Sequence, residues 1–133
     1  MRVVAFESRR ATEMAELIRR HGGEPLIAPT MREVPLGDTT PLLDYLGALE
    51  ANEIDVVLLM TGVGLRTLVK SVASRWPAER VAAALRRAKL VARGPKPVAA
   101  LREMGLQPDI TVPEPNTWRE VLATLDARLP VAG

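Results

Sequence analysis

The 133-residue chain has no cysteine. That excludes disulfide staples, thiolate metal sites and cysteine nucleophiles, and it fits an expected cytoplasmic location. It has one histidine, His21, too few for a structural zinc site. His21 stands beside the Gly22-Gly23 helix stop, where an imidazolium complements the dipole, so its expected role is structural. Aromatic residues make up only 3%. A nucleic-acid binder usually combines a basic stripe with stacking rings, whereas here the pairs Arg9-Arg10, Arg19-Arg20 and Arg86-Arg87 are scattered. Those pairs fit solvated helix faces, and no nucleic-acid partner is expected. No apolar run approaches the ~18 residues of a membrane span, so no membrane partner is expected either. The start, "MRVVAFESRR", turns polar too soon for a signal peptide.

What is present is ordinary for a globular domain: 47% hydrophobic, 26% charged, net charge +2. The order of the signals is more informative. "RVVAFE" and "EPLIAPT" read as short strands around the helical "RATEMAELIRRHGG", which stops at Gly22-Gly23. Residues 31–40, "MREVPLGDTT", form a polar connector. Asp38 to Thr40 can cap a helix with Pro41 in its first turn and Leu42, Leu43, Leu46 and Leu49 as its stripe. "IDVVLLMT" is a continuous apolar run, expected to be a central strand covered on both faces. Next come a helix interrupted by Pro77, the strand "KLVARG", the helix "PKPVAALREMG", the strand "PDITVPE" and a last helix. Asn116 or Thr117 caps that last helix, with Glu120 as capping-box partner.

Five strand–helix units predict an α/β fold with helices on both faces of a parallel sheet. The expected architecture is a flavodoxin-like, doubly wound five-stranded sheet of order 2-1-3-4-5. It forms one domain over 1–133, divided into a strand-helix-strand at 1–30, a connector or hinge at 31–40 and the remainder at 41–129. Ligands in such folds sit beyond the carboxyl ends of the strands.

The loops there exclude several chemistries. "ESRRATE" has no glycine, so it is not a dinucleotide fingerprint. "TGVGLRT" lacks the spacing and the lysine of a Walker A loop. A phospho-acceptor receiver would need an aspartate where Thr61 stands. A flavin site would use aromatic rings, but Trp76 reads as packing at a helix end. Tyr45 also reads as packing, and no catalytic acid or base stands out. What remains is glycine turns that open helices, at "TGVG", "ARGPKP" and "PEPNTW". Free N–H groups and helix dipoles at such places favour anions. The plainer reading stays open, in which Gly62, Gly64 and Gly94 make turns and Thr117 caps a helix.

Three segments, taken in order, resemble the uroporphyrinogen-III synthase family. They are "AELIRRHGGEPLIAPTMREVPL", "DVVLLMTGVGLRTL" and "ARGPKPVAALREMGLQPDITVPEP". The last is the most specific, because its glycine, helix start and A-L-R…G stop recur at fixed spacing. The resemblance runs from Arg2 to about Leu125. It implies a lyase of tetrapyrrole, and hence heme, biosynthesis. That enzyme closes the linear tetrapyrrole hydroxymethylbilane into uroporphyrinogen III with loss of water and inversion of the last ring. No metal or organic cofactor is implied. The implied intermediates are a cationic azafulvene and a spiro-pyrrolenine, so catalysis is largely positioning. The substrate's eight carboxylates suit loops rich in N–H groups. The expected substrate-binding set is Ser8 and Arg9, then Thr61, Gly62, Val63, Gly64 and Arg66, then Gly94, Pro95 and Lys96, and finally Asn116 and Thr117.

The family's enzyme is about twice as long, with its site in a cleft between two α/β domains. A tyrosine from its second half has no counterpart here, and Tyr45 does not match it. The resemblance therefore implies half an enzyme, complete only with a second lobe. Either strands one and two fold back on strands three to five, or two chains exchange them across the 31–40 connector into a homodimer. The non-catalytic alternative is a synthase-like module that binds a tetrapyrrole or a protein partner.

Overall fold

The computed structural model describes residues 1–31, 34 and 37–129. The chain divides into two compact units, Met1–Pro35 and Leu36–Gly133, so the boundary falls inside the proline-containing connector.

The first unit is β1 (Arg2–Ala5), α1 (Ala11–Arg20) and β2 (Glu24–Ile27). The strands pair in parallel, with Val3 opposite Pro25 and Ala5 opposite Ile27. Gly22 ends α1 in the left-handed region at φ +76, a conformation glycine adopts without a steric penalty. Just before the helix, the Glu7 carboxylate accepts the N–H groups of Arg9 (2.8 Å) and Arg10 (3.2 Å). Those backbone bonds, that of Arg10 first, hold its pKa below the ordinary carboxylate value. Alternation along the strands separates two faces. Val3, Ala5 and Ile27 are half-buried, while Val4, Phe6 and Leu26 are exposed.

The second unit is α2 (Thr40–Glu50), β3 (Val56–Leu59), α3 (Gly62–Val72), α4 (Ala78–Leu85), β4 (Lys89–Ala92), α5 (Pro95–Glu103), β5 (Ile110–Thr111) and α6 (Trp118–Arg128). Its parallel sheet has the order β3-β4-β5. Leu46, Leu49, Leu65, Leu85 and Leu101 from α2 to α5 pack with Val57, Leu59 and Leu90 on one face. On the other face Val121 of α6 packs with Val91, Ile110 and Val112. The capping signals act in part: the N-cap of α2 is Thr39, whose side chain makes no cap bond. The Asp38 carboxylate accepts the Thr40 N–H at 2.9 Å, and Thr117 and Glu120 form a capping box at α6. Trp76 is buried with the Arg80 guanidinium 3.8 Å above its ring, and half-buried Tyr45 packs on the core.

Two expectations are altered. The described strands pair as two sheets, β1-β2 and β3-β4-β5, in place of one sheet of order 2-1-3-4-5. Neighbours within each sheet agree with that order, because each pair is joined by a local crossover. In addition, "IDVVLLMT" is not covered on both faces. Among the described residues β3 pairs only with β4; its Val57 and Leu59 are buried and Val56 packs against the α6 cluster, while Leu58 and Met60 are exposed.

Candidate functional site

In the second unit three helices begin just beyond the carboxyl ends of the three strands. At α3, Thr61 is extended (φ −143, ψ 147) and its hydroxyl accepts the Gly64 N–H at 3.0 Å. The hydroxyl proton of Thr61 remains available to a ligand. Gly62 is buried against α5: a Cβ there would lie 2.5 Å from the Lys96 carbonyl oxygen. The starts of α3 and α5 are thus in main-chain contact, and only glycine permits it. At α5, Gly94 is extended, and a Cβ on it would lie 3.0 Å from Asn116 Oδ1. The loop after β4 therefore rests on the loop after β5. Asn116 sits in the left-handed region at φ 59 and donates from Nδ2 to the Val112 carbonyl at 2.9 Å. Asparagine tolerates that backbone better than most residues, and its amide ties the loop to the strand end.

The glycine turns and helix starts thus form one continuous edge, Gly62 on Lys96 and Gly94 on Asn116, with Thr117 following. Neither α3 nor α5 has an acidic residue in its first turn. Their positive dipole ends are not offset locally, and Lys96 adds a cation where a helix start would ordinarily disfavour one. α6 differs, because Glu120 already serves its N-terminus. It accepts the Thr117 N–H at 2.8 Å and bonds the Thr117 hydroxyl. These bonds, the hydroxyl's first, lower the pKa of Glu120.

The expected residues do not all gather at this edge. Thr61, Gly62, Gly64, Gly94, Lys96, Asn116 and Thr117 do, with half-exposed Val63 and exposed Pro95 beside them. Arg66 is engaged: it donates from Nε to Glu103 Oε2 (2.8 Å) and from Nη2 to Oε1 (2.6 Å), clamping α3 to α5. That pairing raises the pKa of Arg66 and lowers that of Glu103. Ser8 and Arg9 belong to the first unit, after β1.

Sequence reasoning passed over two residues here. Glu103 had no local signal, since Arg66 lies 37 positions away. Arg93 ends β4, with its N–H donating to the Leu59 carbonyl at 3.0 Å. It is half-buried, and among the described residues its guanidinium has no ion-pair partner. Its place just before Gly94 in "ARGPKP" was the available clue. Among the described residues no cluster of His, Asp and Glu could hold a metal ion, and no helix is long and apolar enough to cross a membrane.

The family model described as "Uroporphyrinogen-III synthase HemD" matches residues 12–132. The chain belongs to the uroporphyrinogen-III synthase family. It is 31% identical over 125 residues to the uncharacterized protein YjjA of Bacillus subtilis (strain 168), covering 94% of this chain and 46% of that protein. Two solved structures of uroporphyrinogen III synthase from the extremely thermophilic bacterium Thermus thermophilus are also similar. A triple-mutant form is 28% identical with TM-score 0.68, over 92% of this chain and 46% of that one. The wild-type form is 29% identical with TM-score 0.60, over 94% and 47%. The chain thus spans about half the length of the relatives it matches.

Proposed function

We propose that this uroporphyrinogen-III synthase-family chain is a lyase that converts hydroxymethylbilane into uroporphyrinogen III and water, complete only when a second lobe closes over its ligand edge. The observation that carries this reading is the continuous edge of three helix starts, two of them without a first-turn acid. Its N–H groups, with Lys96 and Arg93, suit a ligand bearing many carboxylates. Thr61 to Gly64, Gly94 to Lys96, and Asn116 with Thr117 form this wall, while Arg66 fixes the mutual placement of α3 and α5. Ser8 and Arg9 lie in the first unit, after β1. The reaction needs no cofactor in this reading. The chain holds the folded tetrapyrrole, and water leaves from the hydroxymethyl carbon as the macrocycle closes. The reaction belongs to the cytoplasm, and the second lobe comes from a homodimer formed by exchange of the first two strands.

The Thr61 hydroxyl donates to a substrate carboxylate, a bond worth about 1.5–3 kcal/mol when charge-assisted. The test is the isomer assay. With the chain present, hydroxymethylbilane yields the type III isomer above the spontaneous type I background, and Thr61→Val lowers that yield. Type I product alone, at every protein concentration, rejects the lyase.

A second reading is favoured by length, since the chain spans about half of its relatives. In it the chain is a non-catalytic module that binds a tetrapyrrole or a protein partner. Tight binding of uroporphyrinogen III without isomerisation distinguishes it.

A further inference from the structure

Among the described residues every lysine and arginine is exposed except Arg93, which is half-buried. Arg93 follows β4, the middle strand of the second unit's sheet. Its N–H still bonds the Leu59 carbonyl at 3.0 Å, so the strand pattern runs on through it. Side chains alternate between the two faces along a strand. Val91 packs with Val121 of α6, which sets Arg93 on the same side, at the carboxyl end of the strand. The next residue, Gly94, rests on Asn116.

Several other arginines of this unit are engaged. Arg66 is held by Glu103, Arg80 by Glu50 and the Trp76 ring, and Arg87 by the main-chain carbonyl of Glu50. Among the described residues no hydrogen bond, ion pair or ring contact holds the Arg93 side chain. A guanidinium partly withdrawn from water and paired with nothing is disfavoured, because lost hydration is not replaced. Exposed cations such as Arg75 and Lys89 avoid that cost. The planar fork of arginine is suited to a carboxylate, which it grips through two parallel N–H bonds. The first turn of α5, just beyond Arg93, holds no acidic residue to compete for that fork.

We propose that Arg93 is the specificity-determining anchor of the ligand edge. Its guanidinium takes one carboxylate of the ligand in a two-pronged bond, and without that carboxylate the chain carries the half-buried charge at a cost to its own stability. The anchor rests on the reading of the edge as a polycarboxylate site, and it singles out one side chain there. The Thr61 hydroxyl and the Asn116 amide already bond within the chain, so they serve the fold whether or not a ligand is bound. Arg93 makes no such side-chain bond. Binding and stability therefore oppose each other at this position, and a substitution that harms one should help the other.

The test uses the full chain and three variants. Arg93→Met removes the charge, Arg93→Lys keeps the charge and removes the fork, and Arg75→Met controls for net charge at an exposed position beyond the far end of α3. With no ligand added, Arg93→Met should melt about 2–5 °C above the parent, and Arg75→Met close to it. In calorimetric titrations uroporphyrinogen III should bind Arg93→Met about 30-fold more weakly than the parent and Arg93→Lys about 10-fold more weakly, with Arg75→Met unchanged. Benzenehexacarboxylate, a polycarboxylate that is not a tetrapyrrole, should rank the variants in the same order. Undiminished affinity in Arg93→Met or in Arg93→Lys overturns the anchor. An Arg93→Met chain that melts below the parent, or fails to fold, also overturns it, since Arg93 would then be serving the fold. The isomer assay on the same samples separates the anchor from the lyase. Parent chain that binds in the stated order but yields only type I product overturns the lyase and leaves the anchor standing. Type III yield that survives Arg93→Met at low substrate concentration overturns the anchor and leaves the lyase standing.

Discussion

The two units use one kind of building block, parallel strands joined by helices, yet they differ in what they bury. The second unit packs leucines and valines on both sides of its sheet, with Leu46, Leu49, Leu85 and Leu101 wholly inaccessible. Among the described residues of the first unit, Ala15 is the buried apolar side chain. Two strands and one helix can cover one face of a sheet and no more. One unit therefore has a core of its own, and the other has half a core and an exposed remainder. Stability in this chain is not evenly spread, and the more weakly packed unit has most to gain from a partner.

Truncation of a packed side chain in each unit tests this contrast most strongly. Leu101→Ala, at 0% exposure, should cost about 2–5 kcal/mol in urea unfolding through lost burial and a cavity. Ile18→Ala in half-buried α1 should cost at most about 1.5 kcal/mol. Equal costs would contradict the contrast. Next is the contact between helix starts. Gly62→Ala must push the Lys96 carbonyl away and should lower stability by about 1–3 kcal/mol. Gly47→Ala, in the interior of α2 with open space around it, should gain about 0.5–1 kcal/mol. Thermal melts of both variants check the opposite signs. Smaller again is Thr117→Ala, which removes the capping box of α6 and should cost about 1 kcal/mol, read from the same melts.

The smallest effect should be on pH dependence. Glu7 in the first unit and Glu50, Glu103 and Glu120 in the second all have pKa values held below the ordinary 4.5 by hydrogen bonds. A carboxyl with a depressed folded pKa contributes stability above its unfolded value and loses it as pH falls through the folded one. Melting temperature should therefore be flat near neutrality and decline below about pH 4.5. Replacing Glu50, Glu103 and Glu120 with glutamine should flatten that decline more than Glu7→Gln does. A decline unchanged by the triple replacement would remove these bonds from the account.

What could be read from the sequence was local. Turn glycines, Pro77 between α3 and α4, Asp38 before Thr40 and the Thr117–Glu120 box each act within four residues, and each gives a signal at fixed spacing. The alternation of strands and helices was legible for the same reason. The Gly62 contact with Lys96, the Arg66 clamp on Glu103 and the seating of Asn116 on Gly94 join positions more than twenty residues apart. No periodicity encodes them. The exposure of Leu58 was hidden for a related reason. A continuous apolar run looks the same whether its second face is covered by the chain or left for another molecule.

The Gly62 contact also bears on how variation at this edge is to be interpreted. Two demands meet at one position, since a ligand would use the N–H groups of the α3 start and the fold forbids any side chain there. A lineage that abandoned its ligand would still keep glycine at 62, while Thr61, Lys96 and Arg93 would be free to drift. Glycine at 62 therefore reports on inherited architecture. Retention of the three polar neighbours is what would report on inherited chemistry.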